Sequence, residues 1–575
     1  MIEDKKLQEL LLKNELIDEQ KLTEVLKECK NQKSTLFEYV RQKNVVPDTA
    51  LYPLLAGYFQ IPLVDLKDEN IRRDVLFSIP EPIAQTHELI AFNQTDEGVF
   101  IATTDPSDLE TLEFIKKRLD QNLIIHLATP TTIQDTLKQY HQSLEAEFQN
   151  ISKEGEEDTK NDQQLKELAQ DLPIVRVVDT LLEYAIFEDA SDIHIEPTEK
   201  NVIIRYRIDG ILKEVMSLPK NVQAGLIARI KVLANLKLDE HRLPQDGRFK
   251  ISSTQYKVAF RVSIIPVFDG EKVVLRLLNE SAKALSLEDL GLQKGSLEIL
   301  KNNIAKPHGI ILVTGPTGSG KTTTLYTVMN VLNKPEVNIS TIEDPIEYRM
   351  PHINQSQVNP KIEFTFAKGL RALLRQDPNI IMVGEIRDKE TAEIAAHAAM
   401  TGHLVLSTLH TNDAASSPQR LINMGIPSFL VSSTTNLIIA QRLTRKICKN
   451  CIYSYNLDKE MIKQLDKHFN LKKVLEFLVK QGLLAKEKAA LESILFYRGK
   501  GCKKCGLSGY KGRLGIYELM EISPKISELI TAEAEVEKVF TQAEEEGMVS
   551  LTQDGFIKAI KGITTVEEVL RVTQE

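Results

Sequence analysis

At 575 residues with a net charge of −9, the chain is too long for one hydrophobic core and too acidic overall to favour nucleic acid as a direct partner. Its 42% hydrophobic and 27% charged residues are those of ordinary globular domains, and apolar runs such as Ile310–Val313 and Ile380–Val383 fall far short of the roughly 20 residues of a membrane-spanning helix. The start, Met-Ile-Glu-Asp-Lys-Lys, lacks the basic-then-apolar order of a secretory signal, so a cytoplasmic location is expected.

Residues 1–60 carry a repeat with a period of 29. Leu7, Glu9, Leu11, Leu16, Ile17 and Leu22 recur as Leu36, Glu38, Val40, Val45, Val46 and Leu51. Each unit reads helix, turn, helix, with Asp18 as a cap in the first and Pro47 at the matching helix start in the second. Cys29 lies in a helical pattern and reads as a buried apolar residue. Residues 61–147 mix short apolar runs with amphipathic stretches, as in a small α/β module. Residues 148–170 are polar and acidic and read as a flexible linker that separates this front from the rest.

After the linker come a helix, Val175–Phe187, and a strand-rich α/β domain over 171–283, with Asp209-Gly210 as a hairpin turn. A larger α/β domain occupies 284–575. In it, Gly315-Pro316-Thr317-Gly318-Ser319-Gly320-Lys321-Thr322 matches G-x-x-x-x-G-K-[ST] in full, between an apolar strand and a helical stretch. With Thr323, these residues form the expected ATP-binding set. Backbone amides at the glycines converge on phosphate oxygens, Lys321 neutralises β/γ charge, and Thr322 is a Mg²⁺ ligand.

Hydrolysis also needs an oriented water and groups at the developing charge. Thr341-Ile-Glu343-Asp344-Pro-Ile-Glu347 follows a buried strand, so its carboxylates are expected at the carboxyl edge of the sheet, with Glu347 polarising water. Glu385 ends the strand Ile380–Val383 and is the expected acid at Mg²⁺. His403 and His410 flank a third strand and point to opposite faces; His410 suits a γ-phosphate sensor and His403 equally suits a structural hydrogen bond.

Cys448-x-x-Cys451 and Cys502-x-x-Cys505 offer four thiolates in two chelating turns, the donor set of a structural Zn²⁺ site. Unmetallated thiol pairs or a redox switch are the alternatives. The residues between, including the helical stretch Leu471–Lys486, form an insert over 446–508 clipped at its base.

Leu374-Arg-Gln-Asp-Pro-Asn379 running into Ile-Ile-Met-Val-Gly-Glu385-Ile-Arg-Asp388 resembles the signature of the GspE/PilB-type secretion ATPases, which power type II secretion and type IV pili. Ser191–Pro197, Arg242–Arg248, the glycine loop, the acidic box, the histidine box and the paired cysteines extend the resemblance over nearly the whole chain. Asn379 stands where the family usually has aspartate. The resemblance implies a RecA-like ATPase domain preceded by a PAS-like α/β domain, and a cytoplasmic homohexamer in which the 171–283 domain packs on its neighbour's ATPase domain.

Arg205, Arg207, Arg248, Arg261 and Arg276 of that domain are then candidates to cross the interface as arginine fingers, although each also suits an ordinary ion pair. The implied task is pilus assembly, with a type II secretion pseudopilus or DNA transfer as alternatives. The implied partner is an inner-membrane platform protein, through which the chain associates peripherally with the membrane. Some relatives bind cyclic-di-GMP through an Arg-Leu-Gly-type motif at each front repeat. Here Lys6-Leu7-Gln8 and Thr35-Leu36-Phe37 stand there, without arginine or glycine, which speaks against that ligand.

Overall fold

A computed structural model describes residues 2, 4–32, 35–67, 69, 71–137, 139, 169–252, 257–279, 285–484 and 491–574. Nearly all of the linker expected over 148–170 therefore lies outside the described residues. The chain forms two compact units, Met1–Leu277 and Leu278–Glu575.

In the first unit, helices Asp4–Lys13, Glu19–Gln32, Leu36–Gln42 and Asp48–Phe59 follow the repeat. Its equivalent positions are buried in pairs: Leu7 with Leu36, Leu11 with Val40, Ile17 with Val46, Leu22 with Leu51. The turns repeat as well, since Glu15 and Asn44 both adopt left-handed backbone. The Asp18 carboxylate caps its helix by accepting from the Lys21 amide at 2.6 Å. Cys29 is buried in this core.

Strands β1 (Leu89–Thr95), β2 (Gly98–Thr103) and β3 (Leu123–Leu127) form a small sheet, antiparallel then parallel. Leu127 reaches into the helical core, and Arg41 grips both oxygens of Glu88 at 2.9 Å. The same module packs on helix Leu172–Phe187, where Arg118 donates to Glu183 at 2.8 Å and Phe114 meets Phe187. The small-sheet module and the strand-rich domain thus share one core, while the helical repeat has its own. That helix starts at Leu172, earlier than its apolar pattern suggests, because Pro173 suits a first helical turn.

Six strands follow: β4 (Asp192–Pro197), β5 (Asn201–Ile208), β6 (Ile211–Pro219), β7 (Gln245–Ser252), β8 (Lys257–Val267) and β9 (Gly270–Asn279), in the order β6-β5-β4-β9-β8-β7. The expected Asp209-Gly210 hairpin joins β5 to β6. One sheet face, with Ile193, Ile204, Tyr206, Phe260, Val262, Val273 and Leu275, is buried in the core shared with helices Leu172–Phe187 and Gln223–Leu233. By alternation Asp192, Glu196, Arg205, Arg207, Arg248, Arg261, Lys272 and Arg276 occupy the other face, whereas Glu271 lies on the core side, paired with the buried Lys231 at 2.8 Å.

The second unit is built on seven strands: β10 (Gly309–Thr314), β11 (Ile339–Glu343), β12 (Ile353–Gln357), β13 (Ile380–Val383), β14 (Leu404–Leu409), β15 (Thr435–Ile447) and β18 (Tyr510–Glu521). The order is β12-β11-β13-β14-β10-β15-β18. All neighbours are parallel except β15 and β18. Every residue of β10, β13 and β14 is buried, as expected for parallel strands covered on both faces. Between β15 and β18 the chain makes a detour through β16 (Ile452–Asn456), two helices, and β17 (Leu495–Gly499), with β16 and β17 paired. The detour shares a core with the C-terminal helices Leu551–Ile560 and Val566–Thr573. No helix among the described residues is long and apolar enough to cross a membrane.

Candidate nucleotide site, arginine face and cysteine cluster

Strand β10 ends at Thr314 in mid-sheet, and the glycine loop turns from it into helix Lys321–Leu332. Gly315, Gly318 and Gly320 all have positive φ. At Gly315 the crowding is as restrictive as the dihedral: a β-carbon there would lie 2.5 Å from the Gln441 carbonyl oxygen and 2.7 Å from Ser319 Oγ. The loop thus turns tightly into a helix N-terminus, the arrangement that receives phosphate. Ser319 Oγ is buried without a hydrogen-bond partner, a polar atom left for a ligand to satisfy.

Lys321 folds back on the loop, its Nζ donating to the carbonyls of Gly315 at 2.7 Å and Pro316 at 3.2 Å. Burial pushes its pKa down to about 8; the Glu385 carboxylate pulls it up and the Arg442 guanidinium pushes it further down. Phosphate charge placed here would reverse the burial effect. Pro316, Thr317, Thr322 and Thr323 lie in the same loop and first helical turn.

Glu385 follows the carboxyl end of β13 and is largely buried between two cations: Arg387 at 2.6 Å and, when protonated, His410 Nε2 at 3.3 Å. These contacts and its Coulombic coupling to Lys321 place Glu385, His410 and Lys321 in one neighbourhood. His410 is half exposed. His403 instead turns its Nδ1 to the Ala398 carbonyl at 2.9 Å, the structural alternative for that residue.

The acidic box departs from expectation at Glu343. Its carboxylate does not emerge from the sheet edge but is buried, accepting from Thr341 Oγ1 at 2.6 Å, Gln355 Nε2 at 3.2 Å and the Tyr326 hydroxyl. Burial raises its pKa. The Tyr326 hydroxyl also accepts the Glu347 amide at 3.3 Å, so this network fixes the backbone at Glu347, whose side chain is half-buried. Asn379, the departure from the signature, accepts the Asn338 amide at 2.8 Å and donates its own amide to the Asn338 carbonyl.

Sequence patterning did not single out Gln441, Arg442 or Asn412. Strand β15 pairs with β10 as far as Thr314↔Ala440, so the next two residues run beside the glycine loop. Gln441 Oε1 accepts from Thr324 Oγ1 at 2.7 Å. Arg442, 5% exposed, donates from Nη1 to the Gln441 carbonyl at 3.1 Å and from Nη2 to the Asn412 carbonyl at 2.9 Å.

In the first unit, alternation puts all five candidate arginines on the polar face of the six-stranded sheet. Arg207 and Arg276 flank Asp192 in register and both pair with it, at 3.3 and 2.9 Å. Arg205 pairs with Glu196 at 2.7 Å, and Arg248 lies opposite Arg261 on β7 and β8, both exposed. Burial pushes the Glu196 pKa up, but hydrogen bonds from Arg205 and Lys272 outweigh it and hold the carboxyl at about 2.

At the base of the detour, the sulfurs of Cys448, Cys451, Cys502 and Cys505 all lie within 4.8 Å of one another. Three separations are 3.6, 3.8 and 3.9 Å. Four thiolates about 2.3 Å from a tetrahedral metal stand about 3.8 Å apart, so the donor set fits such an ion.

Comparison with known proteins identifies relatives of the whole chain and of its parts. A family described as type II/IV secretion system protein matches residues 167–571, and an MshEN domain matches residues 59–147. The chain is 38% identical over 573 residues to the type IV pilus assembly ATPase PilB of Myxococcus xanthus, covering 98% of each. It is 46% identical over 411 residues to the type II secretion system protein E of Pseudomonas aeruginosa, covering 72% of this chain and 78% of that one. The X-ray structure of the Yersinia pseudotuberculosis ATPase DotB shares the fold, with a TM-score of 0.50 at 22% identity over 70% of this chain and 93% of that one.

Proposed function

The chain belongs to the type II/IV secretion system protein family, and we propose that it is the ATP-hydrolysing motor of type IV pilus assembly. The observation that carries the ATPase reading is the glycine loop at the end of β10, where Lys321, Glu385 and His410 meet in one neighbourhood. In this reading the loop amides and Lys321 bind the β- and γ-phosphates. Thr322 and Glu385 hold Mg²⁺, which when bound offsets phosphate charge. Glu347 orients and deprotonates the attacking water, and His410 faces the γ-phosphate.

The full-length match favours pilus assembly: the pilus relative covers the front modules as well as the motor, whereas the secretion relative covers 72% of the chain. The assembly we propose is a homohexamer on the cytoplasmic face of the inner membrane, seated on a platform protein. One or more of Arg205, Arg207, Arg248, Arg261 and Arg276 would reach a neighbour's nucleotide. Zn²⁺ is the metal we assign to the four cysteines, where it holds the ends of the insert together.

Steady-state phosphate release tests the enzyme: the purified chain should turn over Mg-ATP, and Lys321→Ala should lose at least about 100-fold. Wild-type turnover in Lys321→Ala would remove the site. Deleting the gene separates the biological roles, since loss of surface pili with secretion intact is expected and the converse would assign the secretion reading.

A further inference from the structure

The loop that follows β14 bears His410, and it is tied to the phosphate cradle through two neighbouring residues. Thr411 bonds to Thr314, the residue just before Gly315: the Thr411 amide donates to Thr314 Oγ1 at 2.8 Å and the two hydroxyls lie 2.5 Å apart. Asn412 is held by Arg442. The same guanidinium holds the Gln441 carbonyl, the atom that would stand 2.5 Å from a β-carbon on Gly315. Its Nη1 would itself stand 3.1 Å from that β-carbon.

Resting on the ATPase reading, we infer that Arg442 is a positioning residue for hydrolysis: one buried guanidinium bonds the His410-bearing loop while lying against the Gly315 turn, and together with the Thr411–Thr314 bonds it sets their separation. A planar fork with two separate donor edges meets two carbonyls on different segments, which an ammonium on a flexible stem cannot do with the same geometry. ADP is bound chiefly by the loop amides and Lys321, whereas the His410 side is needed once a γ-phosphate is present. The role therefore separates binding from turnover. Removing the fork loosens the His410 loop, while the Thr324–Gln441 contact still braces the cradle.

The test compares the full chain with Arg442→Gln and Arg442→Lys, measuring kcat for Mg-ATP, Kd for ADP, and hydrogen exchange of the loop amides at residues 411–415. Arg442→Gln should lower kcat by about 100-fold, the scale of a misplacement of catalytic groups by about 1 Å. Its ADP Kd should stay within about 3-fold, and exchange at 411–415 should rise while helix Lys321–Leu332 stays protected. Arg442→Lys should recover less than about a tenth of the lost turnover. A kcat for Arg442→Gln within about 3-fold of wild type overturns the inference, as does an equal loss of ADP affinity and kcat. If Arg442→Gln does not fold, Arg442→Lys decides: normal kcat overturns the role, and low kcat with normal ADP affinity supports it. A wild-type chain that releases no phosphate at all overturns the ATPase reading instead.

Discussion

Glu518, on β18, accepts the backbone amide of Ala414 at 2.8 Å. A carboxylate in the antiparallel edge strand thus holds the loop that follows His410, and its second oxygen faces the Leu551 amide at the start of a C-terminal helix, 3.4 Å away. Burial pushes its pKa up to about 7, with the amides of Ala414 and Leu551 opposing that shift.

A raised carboxyl pKa carries a definite sign. Between about pH 4.5 and pH 7 the folded chain keeps a proton that the unfolded chain has released, so this contribution is full below pH 4.5 and is lost as the pH rises through 7. Its size is on the order of 3 kcal/mol. Glu518→Gln should therefore gain thermal stability relative to the wild type as the pH is raised from 5 to 8. Parallel melting curves across that range would show that Glu518 does not hold its proton in the folded chain.

The acidic box offers a contrast between two glutamates. Glu347→Gln should bind ATP normally and hydrolyse it far more slowly, by about 100-fold or more, because the amide keeps the shape and loses the basicity. Glu343→Gln should act mainly through stability, since this carboxylate accepts three hydrogen bonds inside the fold; a loss of about 1–3 kcal/mol is expected. A stable Glu343→Gln with abolished turnover, beside an active Glu347→Gln, would exchange the two roles.

Metal analysis of the purified chain should find about one zinc per chain, held through gel filtration in the presence of a weak chelator. Cys448→Ser combined with Cys502→Ser should release the metal and make the 449–501 segment newly sensitive to protease. Four titratable thiols with no zinc in the untreated protein would eliminate the metal assignment.

Shared sites can be tested by mixing. A Lys321→Ala subunit and an Arg207→Ala subunit, each inactive alone, should together recover some ATPase activity, because some interfaces then pair an intact glycine loop with an intact arginine. The same mixture serves for Arg205, Arg248, Arg261 and Arg276. Verified mixed rings without recovery for any arginine would rule out contribution across the interface.

The glycine loop was legible because its information is local: a strand, a fixed spacing and a helix lie within about two dozen residues. The cysteine pairs were legible for the same reason, and their separations agree with the donor set the spacing suggested. Alternation along β5 put Arg205 and Arg207 on one face. That Arg276, Arg261 and Arg248 join them depends on β9 pairing with β4 and β7 with β8, a sheet order no single strand encodes. Glu343 was misread because a carboxylate at a strand end looks solvated until Tyr326 and Gln355 arrive from other elements. Arg442 stayed hidden because it reaches the loop from a strand roughly 120 residues downstream, and sequence spacing does not reveal such a pairing.

That distance has a consequence for the chain as it is made. Lys321 leaves the ribosome long before Gln441 and Arg442, and at about 5–20 residues per second the interval is on the order of 10 s. During it β10 lacks its partner β15, and the Gly315 turn has neither Gln441 nor Arg442 against it. The nascent chain thus carries the whole phosphate-binding motif without the strand that shapes it. The pairing of β10 with β15 that shapes the loop can form only after residue 442 has emerged, so the site is completed late in synthesis.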